Sequence, residues 1–191
     1  MRRPKSSDRG AERLGRRLFR IGEHAFAVIG LVLVIYHLGF DLSRMVSGSM
    51  SPTLRAEGPD DGDWVLSEKV SYRLRSPGRW ELVEFVNTDG EQVMKRVVGL
   101  PGETVSLKER RVAVNGALAP YPGSLEGVPY CPYGNLQGGR ATECGWGYYV
   151  LGDYTKDSND SRYEGPVPPG RIIARPWLRV WPPGRIGFVN P

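Results

Sequence analysis

The sequence predicts a mainly β protein, an antiparallel β-sheet domain preceded by one N-terminal transmembrane helix. Three observations point there. Glycine (25) and proline (16) together exceed a fifth of the 191 residues, which suits short strands and frequent turns. Short apolar runs bounded by turn signals recur after residue 60. A single uncharged apolar run, residues 25–40, follows a strongly basic leader.

The leader comes first. Residues 1–20 hold eight basic side chains against Asp8 and Glu12, a net +6, so the other residues sum to about −1 of the overall +5. A nucleic-acid-binding domain carries its basic surface on the folded part, so no nucleic-acid partner is expected. The sixteen residues 25–40 reach the ~20 of a membrane span when counted from Ile21. Tyr36 and Phe40 are candidate interface anchors. Basic residues on the N-terminal side put the tail in the cytosol and the rest outside. A buried core helix would not need the leader. A cleaved secretory signal fits the basic start, but "FDLSRM" (40–45) offers no A-x-A site. The expected division is a basic cytosolic tail at 1–20, an uncleaved transmembrane anchor at 21–42, an extracytoplasmic β-domain at 43–116 and 147–191, and an irregular insertion at 117–146.

The stretch "VSGSMSPTL" (46–54) follows the anchor. It is either an exposed polar loop or a loop holding a nucleophile. Strands are expected at 62–70, with Trp64, Leu66 and Glu68 on one face, and at 80–86 and 91–100, joined by a turn at 87–90. Further strands are expected at 104–107 and 111–114. The Pro-, Gly- and Tyr-rich segment from 117 shows no period. Regular structure resumes at 147–153, and after a polar stretch at 154–165 two more strands are expected at 171–174 and 177–181. Cys131 and Cys144 do not make a metal site, having no nearby histidine. A disulfide and two free thiols both remain open.

A serine nucleophile needs a base. The only histidines, His24 and His37, lie in or beside the membrane segment, so a Ser-His-Asp triad in the outer domain is excluded. Five lysines remain. Lys5 is on the tail, Lys108 and Lys156 lie in charged or polar turns, and Lys69 is beside Glu68. Lys95 sits mid-strand, sharing a face with Val93 and Val97. Burial there lowers an amine's pKa and lets it accept a proton. The competing reading of Lys95 is an edge-strand charge that discourages pairing.

"SGSMSPTL" (47–54), "GDWVLSEKVSY" (62–72), "VMKRVVGLPGETV" (93–105) and "GDYTKDSNDSRYEGPVP" (152–168) resemble, in order, four blocks of the bacterial type I signal peptidases, and "WPPGRIGFV" (181–189) resembles their closing segment. The resemblance implies a membrane-anchored serine endopeptidase of signal-peptidase fold with a Ser/Lys dyad and no cofactor or metal. It would remove N-terminal signal peptides by cutting after small residues of Ala-x-Ala type. By position, Ser49 matches the nucleophile and Lys95 the general base. Ser47 matches an oxyanion-hole side chain acting with the Ser49 N–H. Ser158 matches a serine that orients the lysine, and Asp160 and Arg162 a supporting ion pair. Asp153, in the same block, is expected to be structural. Implied partners are signal-peptide-bearing precursors, the lipid bilayer and the secretion translocon, and the implied location is the cytoplasmic membrane. Three positions depart from the family pattern: Val46 where some members have proline, Trp80-Glu81 where Gly-Asp often begins the strand, and Val93 where an aromatic often precedes the lysine. A conjugation-type processing protease with the same dyad and a catalytically silent precursor-binding paralogue are the alternatives. A self-cleaving repressor is disfavoured by the anchor and by the lack of a preceding DNA-binding helix pair.

Overall fold

The computed structural model describes residues 6–58 and 61–189, with side chains from residue 15 onward. Arg2, Arg3 and Lys5 of the basic tail lie outside the described residues. The chain divides into two units, residues 1–39 and 40–191. The first is one helix, α1 (Ser6–Gly39). Its segment Gly15–Gly39, 25 residues, is long and apolar enough to cross a membrane. At 1.5 Å per residue it spans about 37 Å, against a hydrocarbon core of about 30 Å. The helix stops three residues short of the expected anchor end, because the next residues pair as a strand.

That strand, β1 (Phe40–Arg44), opens the second unit. β2 (Trp64–Glu68), the short helix α2 (Ser71–Leu74), β3 (Leu82–Val86) and β4 (Gln92–Gly99) follow. Then come β5 (Thr104–Lys108), β6 (Arg111–Val114), β7 (Ala117–Leu118), β8 (Thr142–Glu143) and β9 (Tyr149–Leu151). The helical turn α3 (Ser161–Glu164), β10 (Ile172–Trp181) and β11 (Gly187–Phe188) close the unit. The larger sheet runs β1-β2-β10-β3-β4-β9 with β11 on β10, and the smaller β7-β6-β5-β8. Every registered pair is antiparallel.

Three expectations change. In β2 the buried residues are Val65 and Ser67, while Trp64 is exposed, so the apolar alternation pointed to the wrong face. Residues 171–181 form one strand rather than two, because β10 absorbs Pro176 in an irregular pairing with β2 between Pro176 and Leu178. Proline donates no ladder hydrogen bond and is accommodated at such a shift. The segment 117–146 is not irregular throughout. Its ends are β7 and β8, which extend the smaller sheet, and it sends Ala119, Leu125, Tyr130, Leu136 and Cys144 into a core with Val98, Val105, Val112 and Tyr149. Isolated large apolar residues between glycines and prolines leave no period to read. Both cysteines are free thiols and buried.

Trp80 has φ +70°, a left-handed conformation that favours glycine. Its indole N–H donates to Pro120 O at 2.8 Å and its ring packs 4.6 Å from that of Tyr121. Those contacts offset the backbone strain.

Candidate active site

The serine loop connects β1 to β2 and tightens into a 3₁₀ turn over Gly48–Met50. Met50 is fully buried in a core with Met45, Leu54, Val65, Leu82 and Met94. That anchor fixes its neighbour Ser49, which is also buried. From the other side, Tyr154 N–H donates to Ser49 O at 2.9 Å. Gly152 lies against the same carbonyl: a Cβ there would stand 2.6 Å from Ser49 O and 2.2 Å from Ser158 Oγ. The requirement for glycine at 152 is therefore one of space.

β4 brings up Lys95, which pairs with Val83 of β3. Its Nζ lies 2.6 Å from Ser49 Oγ, and the side chain is only 4% exposed. Burial is the main cause that lowers the amine pKa from 10.5 to about 8. Asp160 and Asp153 pull it back up, and Arg162 pushes it down. An amine with that pKa is neutral in an appreciable fraction of molecules near neutral pH. Ser47 Oγ lies 3.3 Å from Ser49 Oγ.

The loop after β9 supplies the rest. Asp160 caps α3 and pairs with Arg162 through two hydrogen bonds of 2.8 Å. Arg162 also donates to Thr155 O and Cys131 O, and both charged side chains are buried. The Ser158 hydroxyl donates to Asp160 Oδ2 at 2.8 Å. Its donated hydrogen bond thus goes to the carboxylate, and no hydrogen bond to the lysine amine is formed among the described residues. Ser47, Ser49, Lys95 and Ser158 all line one cleft of about 280 Å³, whose apolar wall includes Phe85, Val93, Val150 and Val167.

Sequence reasoning passed over Arg96. Next to Lys95, it is buried and makes a two-point pair with Asp153 at 2.8 and 2.6 Å. It also donates to Trp80 O and to Thr53 Oγ1, and Thr53 donates to Asp153 Oδ2. This cluster ties the serine loop to β4 and to the loop after β9. The signal in the sequence was only that, on an alternating strand, Arg96 faces the side opposite to Lys95.

The site thus sets a buried amine against a serine hydroxyl on a β-sheet scaffold. Residues 18–181 match the family described as signal peptidase, peptidase S26, and the chain belongs to this family of serine endopeptidases. It is 35% identical over 151 residues to a probable signal peptidase I-2 of Synechocystis sp., covering 75% of this chain and 64% of that protein. It is 34% identical over 154 residues to a signal peptidase I of Leptolyngbya laminosa, covering 76% and 70%. The chain thus spans about two thirds of the length of these relatives. A solved signal peptidase I from Enterococcus faecalis is 28% identical, covering 53% of this chain and 97% of that one at a TM-score of 0.42.

Proposed function

We propose that this protein is a membrane-anchored endopeptidase that removes signal peptides from secreted precursors, with Ser49 as nucleophile and Lys95 as its general base. The observation that carries the reading is the 2.6 Å contact between Lys95 Nζ and Ser49 Oγ in a buried site, within a chain of the signal peptidase family.

The substrate is held as an added strand. β9 pairs with β4 only from Arg96 onward, so residues 92–95 keep a free edge. Residues 43–47, at and after the end of β1, line a cavity together with residues 92–95. An extended peptide between them makes main-chain hydrogen bonds and presents alternate side chains to one face. Small residues at the first and third positions before the cut fit that arrangement.

Neutral Lys95 takes the Ser49 proton as Oγ attacks the scissile carbonyl. The Ser49 N–H and the Ser47 hydroxyl stabilise the oxyanion; losing one such donor typically costs ~3 kcal/mol of barrier. The Lys95 ammonium returns the proton to the leaving amine. Water, deprotonated by the again neutral Lys95, resolves the acyl-enzyme. Residues 15–39 cross the cytoplasmic membrane with the basic tail in the cytosol, which sets the cleft on the side where precursors emerge from the translocon.

The test reconstitutes the full chain in lipid vesicles with a precursor bearing an Ala-x-Ala site and reads the products by mass. One cut directly after the second alanine is expected. Cuts elsewhere, or none with several such precursors and folded protein, would contradict the reading.

A further inference from the structure

A second cavity, of about 80 Å³, lies beside the dyad between residues 43–47 and 92–95, and Ser49, Lys95 and Glu84 also line it. Glu84 sits in the middle of β3, in a run of buried residues, and is 1% exposed. It pairs across the sheet with Met94, so the two side chains share a face, opposite to that of Lys95. Ser43 Oγ, from another wall of the cavity, donates to Glu84 Oε1 at 3.1 Å. Glu84 Oε2 has no hydrogen-bond partner among the described residues.

An unpartnered carboxyl oxygen in a core is costly. An apolar side chain would be the stabilising choice in "LVEFV" (82–86). Burial raises the carboxyl's pKa, against the Ser67 and Ser43 hydroxyls and the Lys69 ammonium; Asp41 raises it further. A hydroxyl group both donates and accepts, so it satisfies this carboxyl in either protonation state. The cavity is too small for a long basic side chain.

Taking the peptide as an added strand along residues 92–95, its first and third residues before the cut point to one face, ~6.8 Å apart. The first lies against Ser49. The third lies two residues further along the groove, toward Ser43 and Glu84.

We propose that Glu84, with Ser43, makes a polar subsite that favours a hydroxyl-bearing side chain, serine or threonine, at the third residue before the cut. This rests on the endopeptidase reading above. Glu84 is then a specificity-determining residue.

The test uses the full chain in detergent micelles and four precursors that differ only at that third position: alanine, serine, threonine and valine. Threonine and valine have nearly the same shape, so their kcat/KM ratio reads the hydrogen bond alone. Wild type is expected to favour threonine over valine by roughly tenfold, as one net hydrogen bond gives. Glu84→Val is expected to bring the ratio to one or below, while Glu84→Gln, which still accepts, keeps it above one. A wild-type ratio at or below one overturns the proposal whatever the variants do, and so does an equal ratio in wild type and Glu84→Val. Cleavage of the alanine precursor in those cases leaves the endopeptidase reading standing. No cleavage of any precursor by folded wild type overturns both.

Discussion

The buried Lys95 amine carries a cost in stability. Its folded-state pKa of about 8 lies below the ordinary 10.5 because of burial, so the unfolded chain holds the proton more tightly. Below pH 8 both states are protonated, and the buried charge costs about 3 kcal/mol of stability. Between pH 8 and 10.5 the folded state loses its proton first and stability rises. Lys95→Met should therefore be more stable than wild type at pH 7 by up to about 3 kcal/mol in denaturant unfolding, with the gap closing as pH approaches 10. A fixed gap would contradict the buried-charge account. For activity the sign follows from the base being neutral. kcat/KM should rise about tenfold per pH unit below 8 and level off above it, and a profile flat from pH 6 to 9 would contradict Lys95 as base. At this scale the sequence was informative where chemistry eliminates options. With both histidines at the membrane segment, Lys95 was reachable from the residues alone. Glu84 was not, because an acid in a short apolar strand reads as a surface position on alternation, and only the packed sheet shows it buried.

At the scale of elements, the site depends on three segments meeting: the serine turn, β4, and the loop after β9. Gly152 is where two of them touch. Gly152→Ala must displace Ser49 O or Ser158 Oγ, since its Cβ would stand 2.6 and 2.2 Å from them. We expect a fall in kcat of a hundredfold or more with the far-UV circular dichroism of wild type, consistent with the sensitivity of catalysis to ~1 Å misplacement. The buried Arg96–Asp153 pair locks the same junction. Asp153→Asn leaves Arg96 uncompensated and should cost about 3–5 kcal/mol of stability in chemical denaturation; a loss below 1 kcal/mol would show that the pair is not holding the loops. The strands of this region were legible to within two residues from apolar runs and turn signals. The face of β2 was not, because Trp64 and Leu66 look like core residues while Val65 and Ser67 hold that place. The α3 turn was also missed, since its four residues are too few for a helical period and its start is marked only by Asp160 as cap.

For the whole molecule, two sheets share the second unit, and among the described residues all three core clusters draw only on residues from 45 onward. A chain lacking residues 1–39 should therefore fold cooperatively and still cleave a short soluble peptide, as calorimetry and a peptide assay would show. Leu42, Trp64, Trp181 and Phe188 remain exposed on the paired strands β1, β2, β10 and β11, so that truncated chain should need detergent to stay monomeric. The antiparallel β class and the apolar N-terminal helix were legible from punctuation and one long run. The second sheet was only half legible, because its outer strands are two residues each and a strand that short is defined by its partner.

The most direct test of the Ser49–Lys95 assignment compares precursor cleavage by wild type, Ser49→Ala and Lys95→Met in detergent micelles. The account predicts a single cut by wild type and a loss of at least ~10³-fold in both variants. Cleavage that survives in Lys95→Met at pH 8 would contradict it.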